Sequence, residues 1–359
     1  MKKALALAIS LALSLGLAEI FTRLIVPDPV FRHENRIEMW QPDPVVGYRN
    51  KANFRDYAWG FIPVETNQHG FRGHDFTPGK RAGTYRILGL GDSITWGAGV
   101  RDSETYLRVL ERRWNALAGP SSGVLFEAVN TGVVGYSTHQ ELLTLEHMGL
   151  ALCPDLVTVG FTANDSYPTE DPFYNVHTFH QPTKENVGRF TYSQPPHPQF
   201  YFYWFLRSEI KNAWNLFLRG RAEFPAQPRD WERDSFEART WPVMQGHFRA
   251  LKRLADAHGF ALLVLLFPGY GETKTLPQTP PAMKRVADFL AAEGIDHIDL
   301  FDTLRTDPDK SFVDWTHPSA LGHRLTAEAI VIHIEARPGN DASRGFTPRA
   351  CSAPLLPQK

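Results

Sequence analysis

Residues 86–95 read RILGLGDSIT. The first five form a mostly apolar, strand-like run, and Gly91, Asp92 and Ser93 then turn the chain into a stretch compatible with a helix. A serine at such a junction stands exposed, next to the unsatisfied N–H groups that open the following helix. Gly-Asp-Ser turns are common, and this one acquires meaning from the segments around it.

Similar apolar runs lie at 124–129, 156–161, 260–267 and 295–298, which makes five strand candidates in all. Helical periods separate them. Leu107, Leu110, Trp114 and Leu117 mark one, and Met244, Phe248, Leu251 and Leu254 another. Met283, Val286 and Leu290 mark a third; Leu321, Leu325, Ala329 and Ile332 mark the last. Strands alternating with helices imply a five-stranded parallel sheet covered on both faces, a three-layer α/β/α sandwich of flavodoxin-like type.

Polar segments follow these strands. Asn130–Tyr136 follows the second, Thr162-Ala163-Asn164-Asp165 the third, and Asp314-Trp315-Thr316-His317-Pro318 comes after the fifth. Open α/β sheets place their crevice at the carboxyl ends of the strands. Three-residue spacing lets one loop present Asp314 together with His317. The carboxylate can then fix one imidazole tautomer while the other ring nitrogen faces a serine. Asp299 and Asp302 are rival acids, set further along the chain from His317.

Together these segments resemble the SGNH hydrolase superfamily, the GDSL esterases and lipases, over residues 84–336. Gly91-Asp92-Ser93-Ile94 is similar to the nucleophile block, with Ile94 for the usual Leu. Gly135 falls where the family has its oxyanion glycine, and Asn164-Asp165 matches the Asn block, with Thr162 in place of the usual Gly. Asp314 and His317 match the terminal Asp-x-x-His block. Gly47-Tyr48-Arg49 and Asn67–Gly73 resemble lead-ins of membrane-anchored bacterial members.

The resemblance implies Ser93 as nucleophile, His317 as base and acid, and Asp314 as the residue that orients it. It implies an oxyanion hole made by the N–H groups of Ser93 and Gly135 with the Asn164 amide. Asp92 and Asp165 would support the neighbouring loops, and no cofactor is called for. The implied activity is hydrolysis of acyl or acetyl esters of small molecules or glycans. O-acyl transfer to a sugar hydroxyl would use the same residues. A non-catalytic glycan- or lipid-binding protein is a reading from another class, and the complete set Ser93, Asp314, His317 and Asn164 argues against it.

The 359 residues are 43% hydrophobic and 21% charged, an ordinary globular balance. Thirty-eight basic against 39 acidic residues give a net charge of −1, which argues against a strongly basic nucleic-acid-binding domain. Two cysteines, Cys153 and Cys351, are too few for a disulfide framework or a Cys-rich metal site, and Cys153 beside Pro154 reads as a small buried residue. His177 and His180 lack a recognisable third ligand, so no metal is expected; His323 reads as a packing or surface residue.

Lys2 and Lys3 precede an apolar run, Ala4–Ala18, that Ile20, Phe21, Leu24, Ile25 and Val26 extend. Residues 1–26 are therefore expected to be a signal-anchor in the inner membrane, with a periplasmic catalytic domain. Cleavage near Gly16 and Ala18 would instead give a secreted protein. Residues 27–83 read as an extended, partly strand-forming lead-in. An insertion at 166–242 is rich in aromatics, and Tyr167, Phe173 and Tyr174 lie within ten residues of Asn164, as candidate pocket walls. The Pro-rich tail, 337–359, is expected to be disordered.

Overall fold

Five parallel strands carry the molecule: β5 (Thr84–Gly91), β6 (Leu125–Asn130), β7 (Leu156–Phe161), β8 (Ala261–Leu266) and β9 (Asp296–Asp299), in the order β6-β5-β7-β8-β9. This computed structural model describes residues 2–25, 39–58, 62–77, 79–162, 165, 202–203, 206, 240–336 and 346–351. All five expected strands are present. The chain leaves β5 for β6 on one side and then crosses to β7 on the other. That reversal opens the crevice at the carboxyl end of β5.

Before the sheet come helix α1 (Lys2–Ile25) and two antiparallel hairpins. The first pairs β1 (Trp40–Asp43) with β2 (Gly47–Asn50), and the second β3 (Arg55–Ala58) with β4 (Ile62–Glu65). The main helices are α2 (Ser93–Trp96), α3 (Tyr106–Ala118), α4 (Thr138–Thr144), α5 (Thr240–His258), α6 (Tyr270–Thr275), α7 (Pro281–Ala292), α8 (Phe301–Leu304), α9 (Pro308–Ser311) and α10 (Ala320–Glu335). The four helical periods read from the sequence are α3, α5, α7 and α10.

Alternate side chains on each strand enter different layers, as the pleat requires. Leu88 and Leu90 of β5 and Val264 and Leu266 of β8 pack with Leu142, Phe248, Leu251 and Val286, on the side of α4, α5 and α7. Ile87, Leu263 and Leu265 pack with Leu107, Leu110, Ala327 and Ile330, on the side of α3 and α10. Both faces are covered, which is why these strands read as continuous apolar runs.

The lead-in packs on the carboxyl end of the sheet. Met39, Trp40, Val46, Tyr48 and Val64 share a cluster with Trp96, Val133 and Tyr136. Arg72 bridges Asn130 at the end of β6. Residues 26–38 lie outside the described residues.

Helix α1 exposes Leu7, Leu11, Leu13, Leu17 and Phe21. Glu19 pairs with Arg23 one helical turn on at 2.7 Å and also accepts the N–H of Phe202 at 2.8 Å. Among the described residues no helix is long and apolar enough to cross a membrane.

Two sequence expectations need correction. Cys153 is half-buried rather than buried, and it is disulfide-bonded to Cys351. The expectation of disorder is also corrected for residues 346–351 of the tail. Phe346 packs against Tyr85, Trp114 and Phe126 with ring centroids 4.9–5.0 Å apart, and the Arg349 N–H donates to Asp155 at 2.8 Å. One aromatic and one thiol suffice to fasten a polar segment. Asp155 also accepts from the Arg86 N–H and the Lys80 ammonium, and it precedes β7, so this clamp sits at the opposite end of the sheet from Ser93.

Candidate active site

Ser93 is the first residue of α2, directly beyond β5 and Asp92. The Asp92 carboxylate accepts the Ile94 N–H at 2.8 Å and so caps the helix. The turn is tight enough to need Gly91, where an added Cβ would lie 2.1 Å from Thr95 Oγ1. Ser93 is 8% exposed.

The loop after α9 delivers the other two groups. His317 Nε2 is 2.8 Å from Ser93 Oγ, and His317 Nδ1 is 2.7 Å from Asp314 Oδ2. The second carboxylate oxygen, Asp314 Oδ1, accepts the N–H groups of Thr316 and His317, both at 2.9 Å. These bonds fix the carboxylate, which fixes the ring, with Nδ1–H facing Asp314 and Nε2 free to accept from the serine. Side-chain exposures of 19% for His317 and 26% for Asp314 put the pair at the mouth of the crevice.

Burial opposes the charge on Asp314, but the His317 hydrogen bond and charge, with the two backbone N–H groups, hold its pKa down at about 2. Burial likewise opposes protonation of His317, yet the bond to Asp314, its charge and that of Asp92 raise the imidazole above its ordinary 6.5. A base must be neutral to accept the serine proton. We therefore expect kcat/KM to fall as pH drops through a midpoint above 6.5. Asp314→Asn removes the two upward influences of Asp314 and leaves burial and the Asp92 charge, so its midpoint should move down; a pH–rate profile of both proteins checks this.

The loop after β6 is held to the turn that carries Ser93. Val133 N–H donates to the Gly91 carbonyl at 3.1 Å, and Asn130 Nδ2 donates to the Thr95 carbonyl at 2.8 Å. Gly135, at φ 82°, occupies the left-handed region that favours glycine. Asn164 lies outside the described residues, as do Tyr167, Phe173, Tyr174, His177 and His180. Asp165 is buried; its carboxylate accepts the Thr162 N–H at 2.5 Å and its own N–H donates to the Thr162 carbonyl.

The rival acids are elsewhere. Asp299 accepts from the Phe301 N–H and the Thr279 hydroxyl, and Asp302 is 92% exposed. His323 is a buried packing residue: it accepts the Tyr106 N–H and stacks on that ring, and burial, then the Arg72 and His317 charges, pull its pKa to about 3. Among the described residues no group of three or more His, Cys, Asp or Glu side chains could hold a metal ion.

Three residues near the site were not singled out from the sequence. Trp315, between Asp314 and His317, is 42% exposed. An indole inside so short a polar loop was a usable signal. Glu141 of α4 is buried, with neither carboxylate oxygen hydrogen-bonded. Burial first, and then the Asp92 charge, push its carboxyl well above the usual range; burial, then Glu141 and Asp92, do the same to Asp165. Arg72, the third, is buried beneath α2.

A family model described as GDSL-like lipase/acylhydrolase matches residues 90–325. No curated protein matches the chain in sequence. Among solved structures, the chain is similar to a member of the lipolytic protein G-D-S-L family from Veillonella parvula DSM 2008. The identity is 14% and the TM-score 0.40, covering 69% of this chain and 97% of that one. It is also similar to the acetylxylan esterase Axe2 from Geobacillus stearothermophilus, with 16% identity, a TM-score of 0.41, and 76% of this chain and 100% of that one covered. Likenesses this remote bear on neither substrate nor mechanism.

Proposed function

The chain belongs to the GDSL-like lipase/acylhydrolase family, and from that premise we propose that it is an exported serine esterase working through Ser93, His317 and Asp314. The observation that carries the reading is the unbroken hydrogen-bonded line from Ser93 Oγ through the imidazole to Asp314.

Ser93 Oγ attacks the ester carbonyl carbon while its proton passes to His317 Nε2. The negative charge that develops on the carbonyl oxygen is met by the N–H groups of Ser93 and Gly135 and the Asn164 amide. The tetrahedral adduct collapses, the alcohol leaves with the proton from His317, and the acyl group stays on Ser93. Water then attacks this acyl-enzyme, with His317 again taking a proton, and releases the acid. Asp314 stabilises the imidazolium in each half of the cycle. A sugar hydroxyl in place of water would make the same machinery an O-acyltransferase. Assaying products from acyl and acetyl esters, with and without a glycan acceptor, tests the reading. Free acid whether or not acceptor is present supports a hydrolase, and acylated acceptor in place of acid would support the transferase.

The exposed Trp315 indole offers a face for a sugar ring or an acyl chain at the rim of the site. Trp315→Ala is expected to lower kcat/KM for an acetylated glycan or a long acyl ester by roughly three- to tenfold, the size of one aromatic contact. Nitrophenyl acetate, too small to reach it, should change by less than about twofold. Tyr167, Phe173 and Tyr174 belong in the same substrate panel.

Export rests on Lys2 and Lys3 ahead of the apolar run and on the leucines that α1 exposes. The Phe202 N–H meets Glu19, and the adjoining Tyr203 is exposed, so an exposed aromatic adjoins the segment that meets the carboxyl end of α1. Sedimentation with membranes, resistance to salt extraction and cleavage by protease added outside the inner membrane test anchoring. A soluble form beginning near Glu19 would favour signal cleavage.

A further inference from the structure

The lead-in reaches the nucleophile turn through one fully buried side chain. Arg72 is anchored by its own backbone, whose N–H donates to the Asn130 carbonyl at 3.1 Å. From there Nη1 donates to the carbonyls of Trp96 and Gly97, and Nη2 to that of Val100, each at 2.6 Å. The guanidinium also lies over the Trp96 ring, 4.0 Å from its centroid.

These carbonyls belong to the carboxyl end of α2 and the turn beyond it. The Trp96 carbonyl closes a helix of four residues, and that of Gly97 also accepts the Val100 N–H at 3.3 Å, so Arg72 adds to the bonds that shape the turn. A planar guanidinium fans five donors in fixed directions, whereas an ammonium has three rotatable donors on one atom and an apolar side chain none. Among the described residues no carboxylate bonds Arg72; both Nη groups go to this turn, and Nε is buried without a partner. Gly97, at φ 88°, permits the approach, since an added Cβ would lie 3.2 Å from Arg72 Nη1 and 2.5 Å from Thr105 Cγ2. Asn130, whose carbonyl receives the Arg72 N–H, also bonds the Thr95 carbonyl and the Gly132 N–H. Arg72, α2 and the loop that carries Gly135 are therefore tied into one network.

We propose that Arg72 is a positioning residue for the reaction: by gripping the carbonyls of Trp96, Gly97 and Val100 it sets the tilt of α2, and so aims Ser93 Oγ at His317 and the Ser93 N–H at the oxyanion site. This rests on the reading of Ser93 as the nucleophile. Part of the catalytic geometry is then supplied from the lead-in, a segment outside the α/β sandwich.

The test compares Arg72→Lys and Arg72→Met with the unaltered protein and with Ser93→Ala. The measurements are kcat and KM for nitrophenyl acetate, the rate at which a phosphonate modifies Ser93, and the melting temperature. Both Arg72 variants should lower kcat and the phosphonylation rate together, by about 10- to 100-fold. KM should stay within about threefold, and the rates should order Arg, Lys, Met. All rates are taken well below each melting temperature and per folded molecule. A lower melting temperature with unchanged kcat and phosphonylation rate would make Arg72 a residue of the fold alone and overturn the proposal. Failure of both variants to fold would also overturn it. If only Arg72→Met fails to fold, the Lys variant decides. Full turnover by Ser93→Ala would sink the esterase reading itself, whereas an inactive Ser93→Ala beside fully active Arg72 variants would sink only the positioning role.

Discussion

Ser93→Ala and His317→Ala should each reduce kcat on an activated ester by on the order of 10⁵- to 10⁶-fold, because nucleophile and base act as one unit. Combining them should cost little more than either alone, since the second change removes a partner that already has nothing to do. Asp314→Asn should cost less, about 10⁴-fold, because the base remains and only its tautomer and charge support are lost. None should unfold the protein. Ser93 contributes one hydroxyl to a capped turn, and His317 and Asp314 lie at the mouth of the crevice rather than in either core layer. Steady-state kinetics beside circular dichroism checks the set. Losses that simply multiplied in the double variant would mean that the two residues act independently, contrary to a shared proton transfer.

The other large effect is on stability. Cys153 and Cys351 are separated by 198 residues, and joining them restricts the unfolded chain far more than the folded one. Loop-closure entropy for so long a span amounts to about 5 kcal/mol, and removing a native disulfide costs about 2–5 kcal/mol in practice. Releasing Cys351 also frees the segment that seats Phe346 against Tyr85 and Trp114. Reduction, or the pair Cys153→Ser and Cys351→Ser, should therefore lower the melting temperature markedly. It should leave kcat at 25 °C unchanged, since the clamp lies at the far end of the sheet from Ser93. Identical melting curves with and without reductant would contradict this. The bond is suited to an oxidising compartment, which supports the proposed export.

The sheet was legible because each of its strands is a short apolar run and each intervening helix repeats its apolar face. The candidate triad was legible from the order of its blocks along the chain: Ser93 stands at a strand end, whereas Asp314 and His317 come from the loop after α9. What escaped the sequence were the buried titratable groups. Glu141 on a short helix reads as a solvent-facing acid, and only the packed structure shows that both its oxygens are enclosed. Arg72 reads as one cation in a Gly- and Asn-rich lead-in, and its three carbonyl partners lie beyond it on a turn whose shape depends on the fold. The cysteine pair was invisible for a similar reason, since nothing local to Cys153 points to a partner at the end of the chain. The acids at the site show the reverse: Asp314, Asp299 and Asp302 were all candidates, and bonding to His317 singles out the first.

The identity of the nucleophile is the central claim, and covalent labelling tests it most directly. The protein is treated with a serine-directed fluorophosphonate, its intact mass is recorded, and the modified peptide is mapped. The account predicts one adduct per chain, on Ser93, that does not form in Ser93→Ala and forms far more slowly in His317→Ala. An adduct on another residue, or undiminished ester turnover after Ser93 is fully labelled, would contradict it.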